Sequence, residues 1–131
     1  MEKEPKLISF SLKGLIPSKK NSKIMVCRGK FPMLLPSKKY TEWHKEALKQ
    51  LEEQGVPRMK LTKTKTIYVY YLIDNKRKFD LSNKFESIAD LLVDYGLLED
   101  DNYEVLPIVI LKFEARSEKG TMGASVRIMY E

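Results

Sequence analysis

Apolar and polar residues alternate along several stretches of the chain, a pattern typical of strands with one buried face. Residues 7–12 alternate in this way, and so do residues 124–130. Residues 66–73 are rich in β-branched and aromatic side chains and predict a central strand. Residues 103–115 predict a further strand, joined to the last one by a turn around residues 118–120.

Two other stretches have the spacing of amphipathic helices. The first follows Ser37, a good N-cap, and runs to about residue 54, where Gly55 ends it. The second covers residues 83–95 and ends before Gly96. Its apolar residues fall on one side of the helix: Phe85, Ile88, Ala89, Leu91 and Leu92.

Residues 24–35 predict a short hairpin with a turn at Gly29, although Pro32 and Pro36 each lack a ladder donor. The predicted order is therefore strand, hairpin, helix, strand, helix and two strands. This order is typical of an α+β fold in which two helices pack on a single mixed sheet. A length of 131 residues is that of one domain, so we expect a single domain over residues 1–131.

Composition and charge narrow the possible functions. The net charge of +6 and the pI near 9.3 favour an anionic partner, with nucleic acid ahead of a membrane surface. Cys27 and His44 are the only residues of their types, so one chain can form neither a disulfide nor a zinc site of thiolates and imidazoles. No apolar run approaches the length of a membrane span and the N-terminus is charged, so we expect a cytoplasmic protein without membrane contact.

One acidic segment stands out from this basic chain. Residues 80–101, here called the acidic island, hold seven carboxylates and a single lysine. Four polar residues of its helix fall in one stripe opposite the apolar side: Asn83, Glu86, Asp90 and Asp94. Carboxylates bind hard divalent cations, and lysines and arginines bind phosphates, so the combination is typical of a metal-dependent nuclease. A solvated helix face that begins with an Asn83–Glu86 capping box is the alternative.

The position of the outer acids favours the metal interpretation. Asp80 lies where a strand leads into a helix, and the pair Asp100-Asp101 lies where the chain leaves that helix. If Asp101 begins a strand beside the one that ends near residues 74–78, its carboxylate can approach Asp80. Such a cluster of like charges is costly unless a cation neutralises it. Basic residues also flank the island on both sides.

The acidic island resembles the core motif of the RusA family of Holliday-junction resolvases. That motif usually reads Asp-x-Asp-Asn, a lysine three positions after the asparagine, an aspartate four positions further on, and a terminal Asp-Asp. The matching residues of this chain are Asp80, Asn83, Asp90, Gly96, Asp100 and Asp101. Residues 17–21, Pro-Ser-Lys-Lys-Asn, are similar to the proline- and asparagine-bearing N-terminal loop of the family.

Two positions depart from the family pattern. Ser82 stands where the family usually has a second metal-binding aspartate, and Glu86 stands where it usually has a catalytic lysine. Glu86 shares a helix side with Asn83, so we expect a rearranged site in which it binds the metal. Lys84 is close enough in sequence to replace the missing lysine, although it points to another side of the helix.

The resemblance implies hydrolysis of a phosphodiester in four-way DNA junctions by a homodimer that uses Mg²⁺ or Mn²⁺. The resemblance implies Asp80 and Asp101 as metal-binding aspartates. With the two departures taken into account, the catalytic candidates are Asp80, Lys84, Glu86 and Asp101, and the candidate metal ligands are Asp80, Glu86, Asp100 and Asp101. The candidate DNA contacts are Lys19, Lys20, Asn21, Lys23, Arg28, Lys30, Lys76, Arg77, Lys78 and Asn83. The alternatives are a branched-DNA-binding protein of the same fold with weakened cleavage, and a protein-interaction domain whose acidic stripe meets a basic partner.

Overall fold

A computed structural model describes residues 4–18, 23–28, 31–73, 81–115 and 122–131, with the backbone alone at residues 23–28, 31–36, 73, 81 and 115. Six strands and two helices occur in these ranges. In chain order they are β1 (Lys6–Lys13), β2 (Lys23–Arg28), β3 (Phe31–Pro36), α1 (Lys38–Glu53), β4 (Thr66–Ile73), α2 (Leu81–Tyr95), β5 (Val109–Ala115) and β6 (Gly123–Tyr130).

Four strands form one mixed sheet in the order β1-β6-β4-β5. β6 pairs antiparallel with both β1 and β4, whereas β4 and β5 run parallel and are connected through α2. β2 and β3 pair antiparallel as a separate hairpin. The predicted α+β fold with one mixed sheet and two packed helices is confirmed.

The core lies between one face of the sheet and the two helices. Alternate residues of the strands point into it: Ile8, Phe10 and Leu12 of β1, Ile67, Val69 and Tyr71 of β4, and Ala124, Val126 and Ile128 of β6. The helices contribute the predicted apolar sides, Ala47 and Leu51 from α1 and Ile88, Leu91 and Leu92 from α2. Each large apolar side chain buried here stabilises the fold by about 1.5–3 kcal/mol.

The ends of α1 follow the predicted signals. The hydroxyl of Ser37 accepts a hydrogen bond from the backbone N–H of Tyr40 at 3.2 Å, which is the expected N-cap contact. Gly55, just beyond the helix, has a φ of +72°, a conformation that glycine adopts without strain. Neither described helix is long and apolar enough to cross a membrane.

The C-terminal half of α1 also covers the outer edge of the sheet. Gln54 accepts a hydrogen bond from the N–H of Ser11 at 3.0 Å and donates one to the carbonyl of the same residue at 2.8 Å. Gln50 accepts a further bond from the N–H of Lys13 at 2.8 Å. These side chains occupy edge groups of β1 that another strand could otherwise pair with.

The predicted strand over residues 103–115 was wrong in its first half. The side chain of Asn102 accepts hydrogen bonds from the N–H groups of Glu104 and Val105, at 3.0 Å and 3.2 Å, and this turn delays β5 until Val109. Asp101 therefore does not begin a strand. The last two strands do not pair with each other, because β6 lies between β1 and β4.

Candidate functional site

The first half of α2 holds the backbone that leads into the N-terminal basic loop. The ammonium group of Lys84 donates a hydrogen bond to the carbonyl of Ile16, and the hydroxyl of Ser87 donates one to the carbonyl of Pro17 at 2.5 Å. Both side chains are buried. The two segments that carry the family resemblance, separated by about 70 residues in sequence, are thus in contact in the fold.

Burial has a clear electrostatic effect on Lys84. Desolvation lowers the pKa of its ammonium group, and the positive charge of Lys39 lowers it further. The ammonium group donates its hydrogen bond to a backbone carbonyl at the base of the loop. The structure therefore gives Lys84 a positioning contact, whereas its catalytic role stays a prediction.

The polar stripe of α2 is divided between two environments. At its start, Ser82 and Glu86 are exposed and Asn83 is half-buried. Asn83 lies inside the helix, which begins at Leu81, so it is not the N-cap that the capping-box alternative required. Glu86 presents its carboxylate to solvent in the first half of α2.

Further along α2, the stripe turns toward α1. The hydroxyl of Tyr40 donates a hydrogen bond to Asp90 at 2.7 Å, and Nε2 of His44 lies 2.9 Å from a carboxylate oxygen of Asp94. The side chain of His44 is only 16% exposed, so this histidine is held between the two helices rather than on the open surface. Burial raises the pKa of the Tyr40 hydroxyl, and the hydrogen bond to Asp90 and the charge of Asp94 raise it further.

His44, Asp90 and Asp94 form a group that could hold a metal ion, because one possible ligand atom from each lies within 4.8 Å of the others. Asp90 and Asp94 are acids of the island, but neither they nor His44 belong to the predicted metal ligands. Histidine ligands usually donate their second ring N–H to an acceptor. Nδ1 of His44 is buried and has no hydrogen-bond partner among the described residues. A hydrogen bond from Nε2–H to Asp94, with Nδ1 as the unprotonated nitrogen, therefore accounts for the contact without an ion.

The pair Asp100-Asp101 lies in a loop beyond the other end of α2. Asp100 uses one carboxylate oxygen to accept from the N–H of Asp101 at 2.7 Å and the other to accept from the side chain of Asn102 at 3.1 Å. The carboxylate of Asp101 is exposed. Asp100 thus stabilises the turn, and both acids of the pair are exposed to solvent.

The length of α2 separates this loop from the start of the helix. Its 15 residues rise by about 21 Å from Leu81 to Tyr95. Beyond the helix, the chain pairs with the segment that precedes β4, where the N–H of Glu99 donates to the carbonyl of Leu61 at 3.0 Å. Asp80, which precedes Leu81 in sequence, lies outside the described residues, so its convergence with Asp101 stays a prediction.

Most of the predicted DNA contacts also lie outside the described residues. These are Lys19, Lys20, Asn21, Lys30, Lys76, Arg77 and Lys78. Lys23 and Arg28 are the end residues of β2, for which the structure gives the backbone alone. Their roles stay predictions.

The structure adds a surface that the sequence interpretation missed. The face of the sheet opposite the core, here called the open sheet face, carries a shallow depression of about 560 Å³. Its lining is Leu7, Tyr68, Tyr70, Leu72, Lys112, Glu114, Ser125, Arg127 and Met129. The sequence did contain a sign of this surface. In each strand, the residues between the core-facing positions include aromatic and cationic side chains instead of being uniformly polar.

The chain matches no model of a known protein family, and no curated protein is significantly similar to it. The resemblance to the RusA family therefore depends on the motif residues themselves.

Proposed function

We propose that the protein is a metal-dependent endonuclease that cleaves branched DNA, with the four-way junction as its main substrate. The observation that carries this proposal is the contact between the base of the N-terminal loop and the first half of α2. Lys84 and Ser87 bind the backbone at residues 16 and 17. Basic residues 19, 20 and 23 follow in sequence, so their phosphate contacts and the acids at the start of α2 would serve one site.

The available donors fit a hard divalent cation. Glu86 and Asp101 present exposed carboxylates, and Asp80 adds a third from the sequence. Such oxygen ligands favour Mg²⁺ or Mn²⁺ over zinc. A bound ion of this kind supplies polarisation of the phosphate and a lowered pKa for a water nucleophile. The chain's own contribution is to hold the phosphate through its basic loop and to place the carboxylates beside it.

The geometry of α2 supports a site shared between two subunits. Leu81 and the loop of Asp101 lie at opposite ends of a helix about 21 Å long. We infer that the acids at the start of α2 in one protomer face Asp101 of the partner subunit. A homodimer built this way has two equivalent sites related by a twofold axis, which matches the symmetry of a four-way junction.

A cleavage assay on a synthetic four-way junction tests the proposal. We expect nicks in the presence of Mg²⁺ or Mn²⁺, and none when a chelator removes the ion. Asp80→Asn should abolish nicking while junction binding is kept or strengthened, because a negative charge leaves the DNA-facing surface. Loss of folding in Asp80→Asn would instead identify Asp80 as a structural turn residue.

Mixing two inactive variants tests the shared site. Each shared site takes residue 80 from one subunit and residue 101 from the other. In a heterodimer of Asp80→Asn and Asp101→Asn subunits, one of the two sites therefore carries both substitutions and the other carries neither. Nicking of one junction strand should therefore return on mixing, provided that the subunits exchange. If each site lay within one subunit, both sites of the heterodimer would be damaged and the mixture would stay inactive.

A junction-binding protein with little or no cleavage is the second candidate. Two observations favour it: Glu86 occupies the position of the family's lysine, and Lys84, the nearest substitute, is buried against the Ile16 carbonyl. This candidate predicts salt-sensitive junction binding without nicks under any divalent ion. Absence of both binding and nicking would contradict both candidates and favour a protein-interaction domain.

A further inference from the structure

The open sheet face presents two tyrosines beside two cations. Tyr68 and Tyr70 lie two residues apart on β4, a central strand, so both rings point to this face at a spacing of about 6.6 Å along the strand. In the strand register, Tyr70 lies between Ser125 and Lys112. Tyr68 lies between Arg127 and Ile110 in the adjacent row.

Several side chains of this face are accessible, whereas Tyr68 is half-buried. Tyr70 is 40% exposed, and Lys112 and Arg127 are exposed as well. The ammonium group of Lys112 lies 5.6 Å from the centroid of the Tyr70 ring. Both described helices pack against the opposite face of the sheet.

We propose that the open sheet face binds single-stranded DNA. Bases would stack on the rings of Tyr70 and Tyr68, and phosphates would contact Lys112 and Arg127. Aromatic rings stack on any base, and flanking cations follow the backbone, so this combination binds single strands with little sequence preference. Single-stranded nucleic acid is bound in a similar way by known domains in which aromatic side chains of a four-stranded sheet stack on unpaired bases.

A second copy of the chain is a less suitable occupant. The cations Lys112 and Arg127 outnumber the single carboxylate of Glu114 in this depression, so two copies would bring like charges together, whereas a polyanion is complementary.

The choice of DNA rather than RNA rests on the proposed function. Single-strand binding extends that function, because it would direct the nuclease to branched substrates with unpaired nucleotides, such as forks and flaps. The binding itself does not require cleavage, so it can be measured on the full chain in the presence of a chelator.

Fluorescence anisotropy with a labelled oligothymidylate of about 12 nucleotides tests the inference. Tyr70→Ala should weaken binding by about 5- to 150-fold, whereas Tyr70→Phe keeps the ring and should bind like the parent protein. Arg127→Gln should reduce the slope of log affinity against log salt by about 0.7. Tyr103→Ala, which removes an 80% exposed tyrosine from a loop elsewhere, is the matched control and should have no effect.

Three outcomes would overturn the inference. Unchanged oligothymidylate binding in Tyr70→Ala and Arg127→Gln, with both variants folded by circular dichroism, would exclude this face as the binding surface. Tighter binding of the matching oligouridylate would identify RNA instead of DNA. A dimer in sedimentation that Tyr70→Ala dissociates would make the face a chain interface. Junction cleavage is scored separately, so failure of the nuclease proposal remains distinguishable from failure of this one.

Discussion

Replacing Tyr40 with phenylalanine removes one hydroxyl from the contact between α1 and α2 and keeps the buried ring. The parent hydroxyl donates to Asp90 at 2.7 Å, and the residue is only 5% exposed. Hydrogen bonds to charged groups contribute about 1.5–3 kcal/mol to stability. We therefore expect Tyr40→Phe to lower the free energy of unfolding by this amount near neutral pH. The test matters for function because Asp90 is a residue of the family motif.

The same substitution should change how stability depends on alkaline pH. Burial and Asp90 raise the pKa of Tyr40 in the folded protein far above its ordinary value near 10. The folded state then keeps a proton that the unfolded state releases. The contribution of the Tyr40 hydroxyl to the free energy of unfolding is therefore fully present below pH 10 and is lost as the pH rises above this value. Between about pH 9 and pH 11 this loss amounts to about 1.4 kcal/mol. Phenylalanine does not titrate, so the difference between parent and variant should shrink by about 1.4 kcal/mol over this interval.

Urea unfolding at about pH 7, pH 9 and pH 11 measures both effects. Comparison of the variant with the parent cancels the contributions of Lys84 and Tyr71, since burial also lowers the pKa of Lys84 and raises the pKa of Tyr71 in both proteins. Tyr103→Phe, at an exposed position, should leave stability unchanged at each pH. A constant difference between parent and Tyr40→Phe from neutral to alkaline pH would refute the reasoning. Such a result would show that the Tyr40 hydroxyl is not held by Asp90 in the folded protein.

Three further substitutions test the packing that supports the site. Gly123→Ala should destabilise the protein by about 3 kcal/mol, because the added Cβ would lie 2.2 Å from the Leu12 carbonyl oxygen of the neighbouring strand. Thermal unfolding measures this change, and a loss below about 0.5 kcal/mol would contradict the close approach. Leu91→Ala should lower the free energy of urea unfolding by about 2–5 kcal/mol, because it leaves a cavity where a fully buried side chain packs. Gln54→Ala should lower the free energy of unfolding by about 1–2 kcal/mol, because both backbone groups of Ser11 lose their side-chain partner. The uncovered sheet edge should also increase aggregation measured by light scattering. Unchanged light scattering would show that Gln54 does not protect this edge.

Local patterns in the sequence predicted most of the fold. The central strand over residues 66–73 was predicted with the bounds that β4 has, and the Ser37 N-cap of α1 was confirmed by its hydrogen bond. These features depend on alternation and capping within a few residues, so the sequence carries the information directly. The strand order could not be predicted from local patterns, because the position of β6 between β1 and β4 depends on pairing between residues far apart in sequence.

The candidate site was less accessible to prediction for the same reason. The contact of His44 with Asp94 depends on how α1 lies against α2, and nothing in either helix alone specifies that arrangement. The burial of Lys84 likewise depends on the Ile16 carbonyl, about 70 residues away in sequence. The late start of β5 was visible in principle, since Asn102 is a residue type that forms side-chain turns.

A crystal grown with Mn²⁺ and examined by anomalous scattering tests the central claim most directly, because it locates the ion without reference to activity. The proposed nuclease site predicts an anomalous peak bound by the carboxylate of Asp80, with Asp101 of the partner subunit among the other ligands. A peak found only between His44, Asp90 and Asp94, or no peak near residue 80 at saturating Mn²⁺, would contradict the proposed metal centre.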